Sequence, residues 1–116
     1  MEDRGYQFAD GVYEVCEIRH GFIVDLTRHL DRLDRSLREL EISWPMQRQA
    51  LIAVIRETVR RNHVVNGMFY LQVTRGMEYG RNHLFPPATV EPTAFAFVSP
   101  YPQPAPSLLE RGLAGV

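Results

Sequence analysis

Five leucines recur along residues 26–40 at alternating steps of four and three, a spacing that places them on one face of an α-helix. They are Leu26, Leu30, Leu33, Leu37 and Leu40. The charged residues between them fall on the other faces, and Asp25 or Thr27 is in place to cap the N-terminus. An amphipathic helix of this kind must bury its apolar face, so the rest of the chain has to supply a partner layer.

The partner layer is predicted to be a β-sheet. Residues 11–24 are rich in branched and aromatic side chains on both sides of His20-Gly21, which predicts a β-hairpin with a tight turn. Residues 68–74 and 93–98 have the same composition and are predicted to be two further strands.

A second helix is predicted between the hairpin and the later strands. Ser43 is placed to act as its N-cap and Pro45 to lie in its first turn. The apolar pattern ends near His63, and Asn66-Gly67 is expected to supply the left-handed turn that stops the helix. The order β-β-α-α-β-β predicts an α+β fold, a two-layer sandwich of two helices on a mostly antiparallel sheet.

Proline occupies every second position from Pro100 to Pro106, and this pattern interrupts both sheet ladders and helices. We therefore interpret residues 99–107 as a semi-rigid linker between a small domain at 1–98 and the start of a second, truncated domain at 108–116. An ordinary proline-rich tail is the alternative interpretation.

Composition excludes several classes of function. A chain of 116 residues that is 45% hydrophobic can bury one compact core, and a net charge of −1 gives no basic surface for nucleic acid. No apolar run is long enough to cross a membrane, and the single cysteine, Cys16, has no internal disulfide partner. We expect a soluble, cytoplasmic protein in which Cys16 is a small buried side chain rather than a nucleophile.

All 13 basic residues are arginine, so the chain contains no lysine. Any mechanism that depends on a lysine amine is therefore excluded within these residues. The histidines and acidic residues show no zinc-ligand spacing and the glycines form no phosphate loop, so neither a metal site nor a nucleotide site is expected.

Four stretches, in order and at compatible spacing, resemble the D-amino-acid aminotransferases within the class IV aminotransferases. They are Glu2–Val15, His29–Leu33, Phe69–Gly76 and Arg81–His83. Together with the proline-rich segment they cover nearly the whole chain. The resemblance implies the N-terminal small domain of a pyridoxal-phosphate (PLP) transaminase that acts on D-amino acids with a 2-oxo acid acceptor.

The resemblance also implies site residues. Arg32 matches the arginine that contacts the cofactor phosphate, a role suited to a guanidinium with its fork of donors. Tyr13, Arg81 and His83 match the residues that bind the substrate carboxylate. In family homodimers the loop that carries Arg81 and His83 serves the partner subunit's site. Glu14 lies in the same motif and ranks below Tyr13 as a site residue.

Each of these residues has an ordinary explanation when the family is set aside. Arg32 would lie on a solvated flank of the leucine helix, and Tyr13 would be a half-buried tyrosine on a sheet face. Arg81 and His83 would be exposed loop residues. The four motifs taken together favour the functional interpretation.

The family's Schiff-base lysine lies in the large domain, beyond the linker, together with the other cofactor ligands. The 116 residues alone are therefore expected to be inactive and to bind PLP weakly or not at all. Two alternatives stay open: a branched-chain aminotransferase or aminodeoxychorismate lyase relative, and a noncatalytic dimerisation remnant that the missing lysine would explain.

Overall fold

The structure is a computed structural model that describes residues 1–102 and 106–112. It contains four helices and four strands within those residues. In chain order they are α1 (Arg4–Phe8), β1 (Gly11–Arg19), β2 (Phe22–Ile23), α2 (Leu26–Glu39), α3 (Arg48–Arg61), β3 (Gly67–Thr74), β4 (Thr93–Pro100) and α4 (Pro106–Arg111). The α+β fold predicted from the sequence is confirmed, and α1 and α4 are additions to it.

The four strands form one antiparallel sheet in the order β2-β1-β3-β4. The long central pairing aligns Tyr13 with Gln72 and Glu14 with Leu71. Strand β2 pairs only with Ile18 and Arg19, so the first part of β1 has an open edge beside Tyr13 and Glu14 in the described structure.

Helices α2 and α3 cover one face of the sheet and enclose the core. The leucine pattern of α2 is confirmed, since Leu30, Leu33 and Leu37 are fully buried. These leucines pack against apolar side chains that occupy alternate positions along the strands. In β1 these side chains are Cys16 and Ile18. The even-numbered positions of β1 thus face the helices, and the odd-numbered ones face away.

Two local predictions need correction, and a third, the N-cap at Asp25, is confirmed. Ser43 does not cap the second helix, which starts at Arg48 with Gln47 as its N-cap. The left-handed residue after that helix is His63, at φ 52°, whereas Asn66-Gly67 leads into β3 and stops no helix. Asp25 does occupy the N-cap of α2, but in a left-handed conformation and without a side-chain capping bond.

The last described strand extends two residues beyond its predicted end at residue 98. Strand β4 continues through Ser99 to Pro100, which pairs with Gly67, and α4 begins at Pro106, the last proline of that segment. Residues 113–116, the end of the segment interpreted as the start of a second domain, lie outside the described residues. In the part that is described, no helix has both the length and the apolar composition needed to span a bilayer.

A buried cluster of charges joins the N-terminal segment to the end of the sheet. The carboxylate of Asp10 accepts hydrogen bonds from Arg4 Nε at 3.0 Å and from Arg75 Nε at 2.7 Å. Both arginines are almost fully buried, and Arg75 also donates to the carbonyl oxygens of Leu40 and Glu41 just after α2. Burial acts to raise the pKa of Asp10, but the hydrogen bonds and charges of the two arginines outweigh it and lower the pKa.

Cys16 provides a test of the core. Burial, reinforced by the negative charge of Glu14, raises the pKa of its thiol to about 12. At pH 8 the folded chain should therefore react with a disulfide reagent at least about a hundredfold more slowly than the chain unfolded in guanidinium, because reaction needs an accessible thiolate. Absorbance of the released thiolate measures both rates. Equal rates would contradict the burial of Cys16.

Candidate functional site

Glu14 is a carboxylate on the helix-facing side of β1, with only 3% of its side chain exposed. Two residues of α2 converge on it, one turn of helix apart. Arg32 donates from Nε to Oε1 at 2.8 Å and from Nη2 to Oε2 at 2.7 Å, a two-pronged ion pair. The Nδ1 atom of His29 lies 2.7 Å from Oε2. Glu14 thus fixes the orientation of both side chains.

Opposing influences act on the ionisation of Glu14. Burial alone would raise the pKa of its carboxyl, because the charged form loses solvation. The hydrogen bonds from Arg32 and His29 and the charges of these residues outweigh burial, so the pKa lies below its ordinary value. The carboxylate is therefore ionised at neutral pH and keeps its two acceptor oxygens for Arg32 and His29.

Arg32 has donors left over after this pairing. Its side chain is 54% exposed, and none of the described residues accepts a hydrogen bond from its remaining terminal nitrogen, Nη1. The hydrogen bonds that Arg32 donates to Glu14 raise the pKa of Arg32, which stays a cation. A guanidinium held on one side and open on the other is the donor set that a phosphate group requires.

Tyr13 lies on the opposite face of the sheet from the helices. Its side chain is 64% exposed and stacks on Tyr70 at a centroid distance of 5.7 Å. It also lines a shallow cavity of about 250 Å³ with Gln72 and with Gly5 and Ala9 of the N-terminal segment.

Arg81 and His83 lie on the exposed loop between β3 and β4. Both contact the ring of Phe8 in α1: the Arg81 guanidinium carbon is 5.4 Å from the ring centroid and the His83 ring is 5.1 Å away, edge to face. Among the described residues, no hydrogen bond or ring contact joins Tyr13 to Arg81 or His83. The structure thus brings Arg81 and His83 together and leaves Tyr13 separate from them.

Sequence reasoning missed the supporting residues. His29 was not assigned a role, and Glu14 was ranked below Tyr13, although Glu14 is the group that orients Arg32. The available signal was an acidic residue on the strand face that also carries Cys16 and Ile18, because a buried charge needs a partner. Within the described residues, no group of three or more His, Cys, Asp or Glu side chains could hold a metal ion.

Comparison with known proteins identifies the family of this chain. The family model described as "Amino-transferase class IV" matches residues 11–114. A D-alanine aminotransferase from Staphylococcus haemolyticus is 39% identical over 112 residues, which are 97% of this chain and 39% of that protein. A D-alanine aminotransferase from Listeria monocytogenes is 42% identical over 86 residues, 74% of this chain and 30% of that protein. The chain thus spans at most about two fifths of the length of these relatives.

Two solved structures have the same fold. The 4-amino-4-deoxychorismate lyase from Pseudomonas aeruginosa superposes with a TM-score of 0.78 at 31% identity, over 97% of this chain and 40% of that one. The branched-chain amino acid aminotransferase from Escherichia coli superposes with a TM-score of 0.77 over 87% of this chain and 34% of that one. At 14% identity, the second match supports the fold alone.

Replacing Glu14 by Gln tests the buried carboxylate. Because the pKa of Glu14 is lowered in the folded chain, its stabilisation is fully present above the pKa of the unfolded chain and is lost as pH falls through the folded pKa. Glu14→Gln should lower the free energy of unfolding by about 2 kcal/mol at pH 7, a value discounted for the exposure of Arg32. The difference should shrink below about pH 4.

Urea unfolding at a series of pH values measures this effect. Glu17→Gln is the matched control, because Glu17 lies on the same strand and, among the described residues, its side chain forms an ion pair only with the exposed Arg19. It should change the free energy of unfolding by less than about 0.5 kcal/mol. Equal losses in the two variants, or a loss in Glu14→Gln that does not depend on pH, would contradict the buried network.

Proposed function

The chain belongs to the class IV aminotransferases, since that family's model matches nearly all of it, and from this premise we propose that it is the N-terminal part of a PLP-dependent transaminase acting on D-amino acids with a 2-oxo acid acceptor. The observation that carries the proposal is the ion pair between Glu14 and Arg32. It leaves an oriented, half-exposed guanidinium with a free donor edge at the open border of β1.

Arg32 is the residue of this chain that would hold the cofactor, by binding its phosphate. When bound, PLP supplies an electron-withdrawing ring that stabilises negative charge on the substrate's α-carbon. Glu14 fixes two of the three guanidinium nitrogens, so little rotational freedom is lost when the third meets an anion. His29 shares the Glu14 carboxylate and limits its rotation.

Tyr13, Arg81 and His83 would bind the substrate carboxylate. The guanidinium of Arg81 and the imidazole of His83 are exposed donors on one loop, and Tyr13 adds a hydroxyl from the open sheet face. In this chain Tyr13 makes no described contact with the loop residues. That separation supports a homodimer in which Arg81 and His83 serve the partner subunit's site.

The 116 residues alone would be inactive. None of them is lysine, so no side chain of this chain can link covalently to the cofactor or move the substrate proton as an amine. The polypeptide that contains this chain would supply that residue from a further domain, in keeping with the greater length of the relatives. A noncatalytic assembly role is the second candidate function, and the missing lysine favours it.

Substrate choice would be set at the Arg81 loop. An arginine and a histidine placed two residues apart favour binding of a substrate carboxylate over binding of an apolar substrate side chain beside this loop. This favours a D-amino-acid transaminase over a branched-chain transaminase or an aminodeoxychorismate lyase, although the lyase from Pseudomonas aeruginosa shares the fold.

Arg81→Ala in the full-length polypeptide tests the carboxylate role. Loss of one charge-assisted hydrogen-bonding partner should lower kcat/KM for D-alanine about 30- to 100-fold, mostly through KM, while bound PLP measured by its visible absorbance stays the same. Arg56→Ala is the control, because Arg56 is an exposed arginine on α3, which contributes no proposed site residue. An unchanged kcat/KM in Arg81→Ala would overturn this assignment.

A further inference from the structure

The ring of Phe8 contacts both Arg81 and His83. The Arg81 guanidinium carbon lies 5.4 Å from the ring centroid, within the range of a cation–π contact. The His83 ring meets Phe8 edge to face at 5.1 Å and an interplanar angle of 61°. Two exposed side chains that would otherwise rotate freely in solvent thus share a single aromatic support.

Phe8 itself is held by Arg4. The guanidinium carbon of Arg4 lies 4.8 Å from the same ring, and its Nε is paired with Asp10. Arg4 Nη1 donates to the carboxylate of Glu78 at 3.1 Å and to the carbonyl oxygen of Asn82 at 2.9 Å. Asn82 is the residue between Arg81 and His83, so the buried arginine fixes the loop backbone at that point while Phe8 meets the side chains on either side.

The backbone of α1 also pairs with the beginning of the loop. Asp3 forms a bridge with Met77, and the amide of Arg4 donates to the carbonyl oxygen of Gly76 at 2.9 Å. The amide of Glu78 donates back to Glu2 at 3.3 Å. The N-terminal segment therefore holds the loop by its backbone as well as by its side chains.

Phe8 does not contribute to the main core. The buried core lies between the sheet and the helices α2 and α3, and Phe8 is neither a member of it nor among the described side chains packed against it. The ring is half-buried at the end of α1. Its position therefore supports the loop rather than the enclosed core.

We propose that Phe8 is a positioning residue for substrate binding: it holds Arg81 and His83 in the orientation in which they bind the α-carboxylate of an amino acid. This inference rests on the proposed function and deepens it. A free arginine side chain has many rotamers, and binding a carboxylate restricts it to one of them, which costs conformational entropy. An aromatic face that already supports the guanidinium reduces that loss and lowers KM without touching the reacting atoms.

The test uses the full-length polypeptide and two substitutions at one position. Phe8→Leu keeps an apolar side chain and removes the aromatic face, whereas Phe8→Tyr keeps the face. We expect Phe8→Leu to raise the KM for D-alanine about fivefold and to change kcat less than twofold, which is the scale of one cation–π and one aromatic contact. Phe8→Tyr should restore KM to within twofold of the wild type.

Phe22→Leu is the matched control, because Phe22 is 77% exposed in the hairpin and contacts neither Arg81 nor His83 in the described structure. It should leave KM unchanged. Circular dichroism establishes that each variant is folded. A KM in Phe8→Leu equal to that of the wild type overturns the proposal. A KM that rises as much in Phe8→Tyr as in Phe8→Leu also overturns it, because the aromatic face would then have no effect on substrate binding.

A second readout separates this proposal from the proposed function. In the 116-residue chain, nuclear Overhauser contacts should join the Phe8 ring to the side chains of Arg81 and His83. Absence of both contacts overturns the positioning role. If the contacts are present but the wild-type full-length polypeptide has no transaminase activity, the transaminase assignment is overturned, and the substrate role of Phe8 with it. If the wild-type polypeptide is active but Phe8→Leu leaves KM unaltered, only the role of Phe8 is overturned.

Discussion

The carboxylate of Asp10, shared by two buried arginines, is the interaction on which the site region depends. Arg4 lies in α1 and Arg75 directly follows β3, and burying either one without a counter-ion would cost several kcal/mol. Asp10 neutralises one positive charge and Glu78 the other. Because Arg75 also donates to the last carbonyl oxygens of the α2 region, the same carboxylate joins α1, the sheet and that helix.

Glu14 is also a carboxylate paired with an arginine, but among the described residues its pairing leaves most of the arginine's donors unused. Every guanidinium nitrogen of Arg75 donates to a described neighbour, and only one N–H, on Nη1, has no acceptor within the described structure, on a side chain that is almost fully buried. Arg32 is bound to its carboxylate through two nitrogens and stays half-exposed with the third. The structural arginine and the arginine that we propose to bind phosphate therefore differ in the number of donors that the fold leaves unused. This difference supports the proposal for Arg32.

The sequence predicted the parts of the fold that follow from local periodicity. The leucine spacing located α2, and the branched and aromatic composition of residues 11–24 located the hairpin of β1 and β2. Boundaries controlled by tertiary contacts were missed. Helix α3 starts at Arg48 although Ser43 and Pro45 are favourable start signals, and α1 is too short for a periodic pattern. The contacts of Asp10 and Phe8 join residues more than 60 positions apart, which no local pattern can reveal.

The most direct test of this account is amide hydrogen exchange of the 116-residue chain with Asp10→Asn. If the Asp10 carboxylate holds the loop of Arg81 and His83 through Arg4 and Arg75, the amides of Glu78 and Leu84 should exchange at least roughly tenfold faster in the variant. Amides in the middle of α3 should keep their protection. Unchanged exchange at Glu78 and Leu84, or an equal acceleration throughout the chain, would contradict the claim that this carboxylate organises the site.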